Sequence, residues 1–200
     1  MQVSAIPPVS MATYDTDFDA FAQELGGWFE RFGFAVVADH GVDQIVIDGA
    51  LHASKEFFAL PTDVKRTFHV PNSGGQRGYT ALGVETAKDH NVADLKEFWH
   101  TGRDLPKGHP SAVVMPPNVT MDVIAGFDDM QRAMFAGFDG LGVRLLRAIA
   151  HYLELPRDFF DTKVADGNSI LRTLHYPAMA QDTEPGAIRA GAHTDRKSVV

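Results

Sequence analysis

Cysteine is absent from this 200-residue chain, which excludes disulfides, zinc-thiolate sites, iron–sulfur clusters and thiol nucleophiles together. The absence suits a reducing cytoplasm, the compartment expected here. Basic charge is scarce too: 18 Lys and Arg stand against 26 Asp and Glu, a net charge of −8. A surface of that sign repels phosphate backbones and anionic lipid, so neither nucleic acid nor membrane is an expected partner. No apolar run approaches the roughly 18 residues that span a bilayer. Residues 1–10 lack the basic and apolar regions of a signal peptide. There is no internal repeat and no low-complexity tract. What remains, 44% hydrophobic and 22% charged, is the composition of a globular protein with one domain, or one domain and an extension.

The periodicities give a helical front end followed by a few strands. Residues 1–13, with Pro7 and Pro8, read as an extended lead-in. Asp15, Thr16 and Asp17 offer cap oxygens to a helix in which Phe18, Phe21, Ala22, Leu25, Trp28 and Phe29 recur at helical spacing, and Gly33 is its stop. A short apolar strand at 34–38 and a turn at 39–42 follow. Asp43 opens a second helix carrying Val46, Ala50, Ala53 and Phe57 on one seam and Ile47, Leu51 and Phe58 on the next, ended by Pro61. Residues 71–79 are loop, 80–84 and 97–101 are short strands, and 105–118 is a proline-rich connection. One long helix is predicted over 120–155, with its Met and Phe residues in the core, then a short helix at 157–160 and a strand at 169–176.

The chemistry is expected near the C-terminus, at Gly191-Ala192-His193-Thr194-Asp195. In extended backbone, residues two apart point to one face, so His193 and Asp195 offer an imidazole and a carboxylate to a single point. That pair is two thirds of the 2-His-1-carboxylate triad that holds non-haem Fe(II) with open positions for substrate and dioxygen. Alone the pair is weak, since 9 His and 26 acidic residues in 200 give about one His-x-Asp/Glu by chance.

Other stretches carry a resemblance. Gly33-Phe34-Ala35-Val36-Val37-Ala38-Asp39-His40-Gly41-Val42, Phe57-Phe58-Ala59-Leu60-Pro61 with Lys65, Gly78-Tyr79, Asp94-Leu95-Lys96-Glu97-Phe98 and Leu171-Arg172 with Tyr176-Pro177 all precede the His193 segment. In that order they resemble the landmarks of the isopenicillin-N-synthase-like 2-oxoglutarate/Fe(II)-dependent dioxygenases. The resemblance implies an α+β fold, a helical N-terminal region leading into an incomplete double-stranded β-helix or jelly roll. It divides the chain into a dioxygenase N-terminal region, 1–118, and the long helix and first jelly-roll strands, 119–200. Iron would be held by His193, Asp195 and a later His. 2-Oxoglutarate, the cosubstrate, would be held by Tyr176 and a later Arg-x-Ser. Where many relatives have Asn two residues before that Tyr, this chain has Leu174.

The implied reaction is oxidation of a small molecule by dioxygen, coupled to decarboxylation of 2-oxoglutarate. Its rivals are an iron oxidase of the same family that does not use 2-oxoglutarate, and a binding module whose metal site has decayed. His40 is expected to make a structural hydrogen bond, and Lys96-Glu97 to be a structural ion pair or strand-edge charge. Arg172 is expected either to pack or to meet a substrate carboxylate. His175, facing away from Tyr176, is not a metal ligand. The distal His and Arg-x-Ser are not found before Val200, so the chain reads as an inactive fragment whose strands at 169–176 and 190–195 would lack partners. The tail Asp195-Arg196-Lys197-Ser198-Val199-Val200 is also the translation of the sequencing-adapter string GATCGGAAGAGCGTCGTG, which makes non-native residues from 195 onward an expectation.

Overall fold

A computed structural model of the chain describes residues 6–84 and 95–178. The elements run β1 (Pro8–Ser10), α1 (Met11–Thr16), α2 (Phe18–Phe32), β2 (Val36–Ala38), α3 (Gln44–Phe58), α4 (Thr62–Arg66), β3 (Gly78–Thr80), β4 (Glu97–Gly102), α5 (Phe127–Tyr152), α6 (Asp161–Val164) and β5 (Ile170–His175). A single 3-10 turn, Pro110–Val113, interrupts the proline-rich connection. The arrangement is α+β, as expected. It divides into two units, residues up to 49 with 132–169, and residues 50–131 with those from 170 onward.

In the first unit the caps act where the sequence places them. Asp17 accepts from the Ala20 amide at 3.0 Å to open α2, and Gly33, at φ 73°, closes it on the Phe29 carbonyl. Phe21, Ala22 and Leu25 bury one stripe of α2 against Val9, Met11, Tyr14 and Ala148. The residues before α2 are not simply extended. Pro8, Val9 and Ser10 pair in parallel with Val36, Val37 and Ala38, and the Ser10 hydroxyl caps α1 at the Ala12 amide. Three residues carry too little alternation to announce a strand, and their partner lies beyond a whole helix. Gly26, in the middle of α2, lies beneath the Tyr152 ring, where a Cβ would overlap it.

The second unit is built on a three-stranded antiparallel sheet in the order β3-β4-β5. Its register sets Tyr79 opposite Trp99 and Glu97 opposite His175. Phe57 of α3 is fully buried and meets Phe58, Phe68, Tyr79, Trp99 and Phe127, with ring centroids 5.1–6.0 Å apart. Edge-on and tilted aromatic contacts of this kind add to the burial of large apolar area. Polar closure comes from Gln131, which donates to the Ser54 hydroxyl at 2.7 Å and accepts from Thr173.

Several boundaries move. The strand expected at 80–84 lies at 78–80, because Gly78, at φ 68°, starts the pairing with His100 and residues 81–84 turn away. The long helix starts at Phe127 rather than 120. Gly126 takes a left-handed φ of 75°, and the Asp128 carboxylate accepts the Met121 amide instead of letting 120–126 coil. Glu154, at φ 58°, stops that helix, and the short helix expected at 157–160 forms at 161–164. The strand at 170–175 does not lack a partner, since β4 pairs with it along its length. Among the described residues no helix is long and apolar enough to cross a membrane.

Candidate functional site

Three of the landmark residues, Lys65, Tyr79 and Glu97, meet His175 at one point in the second unit. Strand alternation puts Tyr79, Glu97 and His175 on the sheet face that carries Trp99. The short helix α4, begun at Pro61, brings Lys65 over the same face. Lys65 Nζ donates to Glu97 Oε2 at 2.8 Å and Oε1 at 2.9 Å, and to the Phe58 carbonyl at 3.1 Å. The Tyr79 hydroxyl donates to Glu97 Oε2 at 2.5 Å. His175 Nδ1 lies 2.8 Å from Oε1, and its ring stacks on Phe58 with centroids 5.1 Å apart. The side chains of Lys65 and Glu97 are only 7% and 6% exposed.

Burial alone would raise the Glu97 carboxyl, but the hydrogen bonds from Lys65, Tyr79 and His175 outweigh it and hold it below its ordinary value. Burial, reinforced by the bond to Glu97, pushes the Tyr79 phenol well above its ordinary value. A charged carboxylate with three donors is a satisfied network, which ties α4, β3, β4 and β5 together. It is not a metal pair, because the Lys65 ammonium occupies both carboxylate oxygens. Lys96, the expected partner of Glu97, is replaced in that role by Lys65. The signal available in the sequence was the placing of Lys65, Tyr79 and Glu97 at family landmarks; His175 carried none, and nothing local in the sequence pairs the four.

Tyr176 follows directly on the last rung of β5 and is half-buried. Arg172, on the Tyr176 face of the strand, packs over Phe98 with its guanidinium carbon 4.2 Å from the ring centroid. Its Nε donates to His100 Nε2 at 2.5 Å, while His100 Nδ1 bonds the Gly75 carbonyl. A carbonyl accepts only from a protonated Nδ1, so this ring is the neutral tautomer that leaves Nε2 to accept. His40 Nδ1 accepts the Val42 amide at 3.1 Å, the structural bond expected of it.

His193 and Asp195 lie outside the described residues. Among the described residues no group of three His, Cys, Asp or Glu side chains could hold a metal ion. An imidazole and a carboxylate are suitable donors for Fe(II).

Residues 6–122 match the family described as "non-haem dioxygenase in morphine synthesis N-terminal". The chain belongs to the 2-oxoglutarate/Fe(II)-dependent oxygenase family. It is 32% identical to a proline hydroxylase of Petromyces alliaceus over 88% of this chain and 56% of that protein. Among solved structures it is similar to a 2OG-Fe(II) oxygenase family protein from Caulobacter crescentus, 50% identical, with a TM-score of 0.84 over 96% of this chain and 61% of the other. A full-length Neurospora crassa protein solved with α-ketoglutarate is 28% identical, with a TM-score of 0.78 over 95% of this chain and 61% of the other. The chain thus spans little more than half the length of the curated relatives it matches.

Proposed function

We propose that these residues are the N-terminal part of an oxygenase that uses Fe(II), 2-oxoglutarate and dioxygen to oxidise a small molecule. Residues 1–118 form the dioxygenase N-terminal region in this reading, and 119–200 the long helix and first strands of a jelly roll. The family match ending at residue 122 supports that division. His193 and Asp195 hold the iron, and the Tyr176 hydroxyl donates to the 2-oxoglutarate carboxylate. Iron and 2-oxoglutarate together supply the oxidising power. The protein's part is to fix ligand geometry, orient the cosubstrate and exclude water. A reducing cytoplasm is the compartment that accompanies this reading.

The likeness to the Neurospora protein solved with α-ketoglutarate carries the proposal, because it extends over 95% of this chain. A small-molecule substrate is supported by the relatives: one is named a proline hydroxylase, and the Neurospora protein was also solved with thymine. The test is succinate production by the complete gene product. Succinate that requires both Fe(II) and 2-oxoglutarate is expected. None under anaerobic reconstitution followed by air, across amino-acid, nucleobase and carboxylic-acid substrates, overturns the proposal.

Leu174 favours one second reading, an iron oxidase of the same family that does not use 2-oxoglutarate. It removes a polar side chain beside Tyr176, where many relatives offer Asn. Turnover of substrate by dioxygen without 2-oxoglutarate distinguishes the two.

A further inference from the structure

The β4–β5 ladder ends at the rung between Glu97 and His175. Tyr176 is the next residue, which strand alternation sets on the opposite face, and Pro177 after it has no amide with which to continue a ladder. The backbone direction at Tyr176 is therefore set by what holds residue 175. That residue is held twice. Its ring lies nearly parallel to Phe58, at an interplanar angle of 21°, and its Nδ1 meets Glu97 Oε1 at 2.8 Å. Glu97 cannot swing to follow a moving histidine, because Lys65 and Tyr79 fix both of its oxygens. The His175 side chain is itself 39% exposed, so it fills little of the core, yet its position is determined from two directions.

We propose that His175 is a positioning residue, clamped between Phe58 and the Lys65–Glu97 pair so that the strand end delivers the Tyr176 hydroxyl to 2-oxoglutarate. The proposal rests on the reading of Tyr176 as a cosubstrate-binding residue. It adds that the buried network, acting through His175, sets the precision of that contact. A carboxylate acceptor requires Nδ1 to carry a proton, so a replacement that keeps an N–H at that reach preserves the clamp. One that keeps only a ring against Phe58 does not. Displacement of an orienting group by about an ångström is enough to cost about a hundredfold in a preorganised site.

The test is calorimetric titration of the complete gene product, loaded with Mn(II) in place of iron, with 2-oxoglutarate. Y176F is expected to weaken 2-oxoglutarate binding about tenfold, the loss of one charge-assisted hydrogen bond. H175F is expected to weaken it about as much, and H175N to hold it within about twofold of the parent. H175F placed in the Y176F background is expected to add nothing, since both act on one contact. Affinity for Mn(II) alone is expected to stay unchanged throughout. Full 2-oxoglutarate affinity in H175F, with Y176F weakened, overturns the proposal while leaving the Tyr176 assignment standing. A multiplicative loss in the double variant overturns it in favour of a merely structural role. An unaffected Y176F overturns the Tyr176 assignment and the clamp with it. If H175F does not fold, His175→Leu, which has no ring and no N–H, is read against H175N, which has no ring but keeps an N–H, and equal affinity in the two overturns the proposal.

Discussion

Lys65 and Glu97, 32 residues apart in the chain, form an ion pair with Nζ 2.8 Å from Oε2 and almost no access to solvent. Desolvating two charges is costly, and the pair is tolerable because Tyr79, His175 and the Phe58 carbonyl supply further hydrogen bonds. Removing one partner leaves the other charge buried and uncompensated. K65M is therefore expected to destabilise the protein by about 3–5 kcal/mol. The double variant K65M/E97L, which removes both charges, is expected to recover most of that loss. Urea unfolding followed by circular dichroism reads both, and a double variant no more stable than K65M would contradict the account.

The same cluster predicts an acid limb in the stability curve. Glu97 is held below its ordinary value, so the folded state binds its proton less tightly than the unfolded chain does. Its contribution is full above the ordinary glutamate value and drains away as the pH falls through the lower folded value. Tyr79 acts with the opposite sign. Its raised value makes the contribution full below the ordinary phenol value and lost as the pH climbs beyond it. Melting temperatures measured across the pH range are expected to flatten at the acid end in E97Q and at the alkaline end in Y79F.

Adjacent glycines in α2 are expected to respond in opposite directions. At Gly26 an added Cβ would overlap the Tyr152 ring, whereas at Gly27 nothing lies within 4 Å. G26A is expected to cost about 1–3 kcal/mol through overpacking. G27A is expected to gain up to about 1 kcal/mol from helix propensity. Thermal denaturation of the two single variants provides the comparison, and equal effects would remove Tyr152 from the explanation.

For the metal, the prediction concerns the complete gene product. H193A is expected to abolish stoichiometric iron binding, and so is loss of the carboxylate at position 195 where the complete gene encodes one, because each removes an inner-sphere donor and the facial geometry with it. H40A is expected to keep its iron, since the His40 ring is engaged with the Val42 amide. Iron content measured after anaerobic reconstitution decides this, and full iron in H193A would end the ligand assignment.

What could be read in advance was whatever is written locally. Asp17 and Gly33 mark the ends of α2 by their own chemistry, and Pro61 marks the end of α3. Phe57 was legible as a member of a helical apolar seam, although the rings it meets from other elements were not. The pairings that depend on distant partners were not. Lys96 adjoins Glu97 in sequence and was the natural candidate for its counter-ion. The carboxylate turns instead to Lys65, which only the packing of α4 over the sheet brings near. Likewise the apolar period before Phe127 continues without a break through Gly126, although the left-handed backbone there forbids a continuous helix. His175 was set aside as a metal ligand because it faces away from Tyr176. That opposite face is where its role in the cluster lies.

The parallel pairing of β1 with β2 also constrains the order in which the chain can fold. During synthesis the first strand leaves the ribosome early, but the edge that receives it, Val36 to Ala38, emerges only after the whole of α2. Until then Val9 can lean only on Met11, Tyr14 and the apolar stripe of α2, and Ser10 has not met Asp39, to which it donates at 2.5 Å. The strand thus waits on one later edge for its backbone partners, and on Ala148, far later in the chain, to close the cluster around Val9.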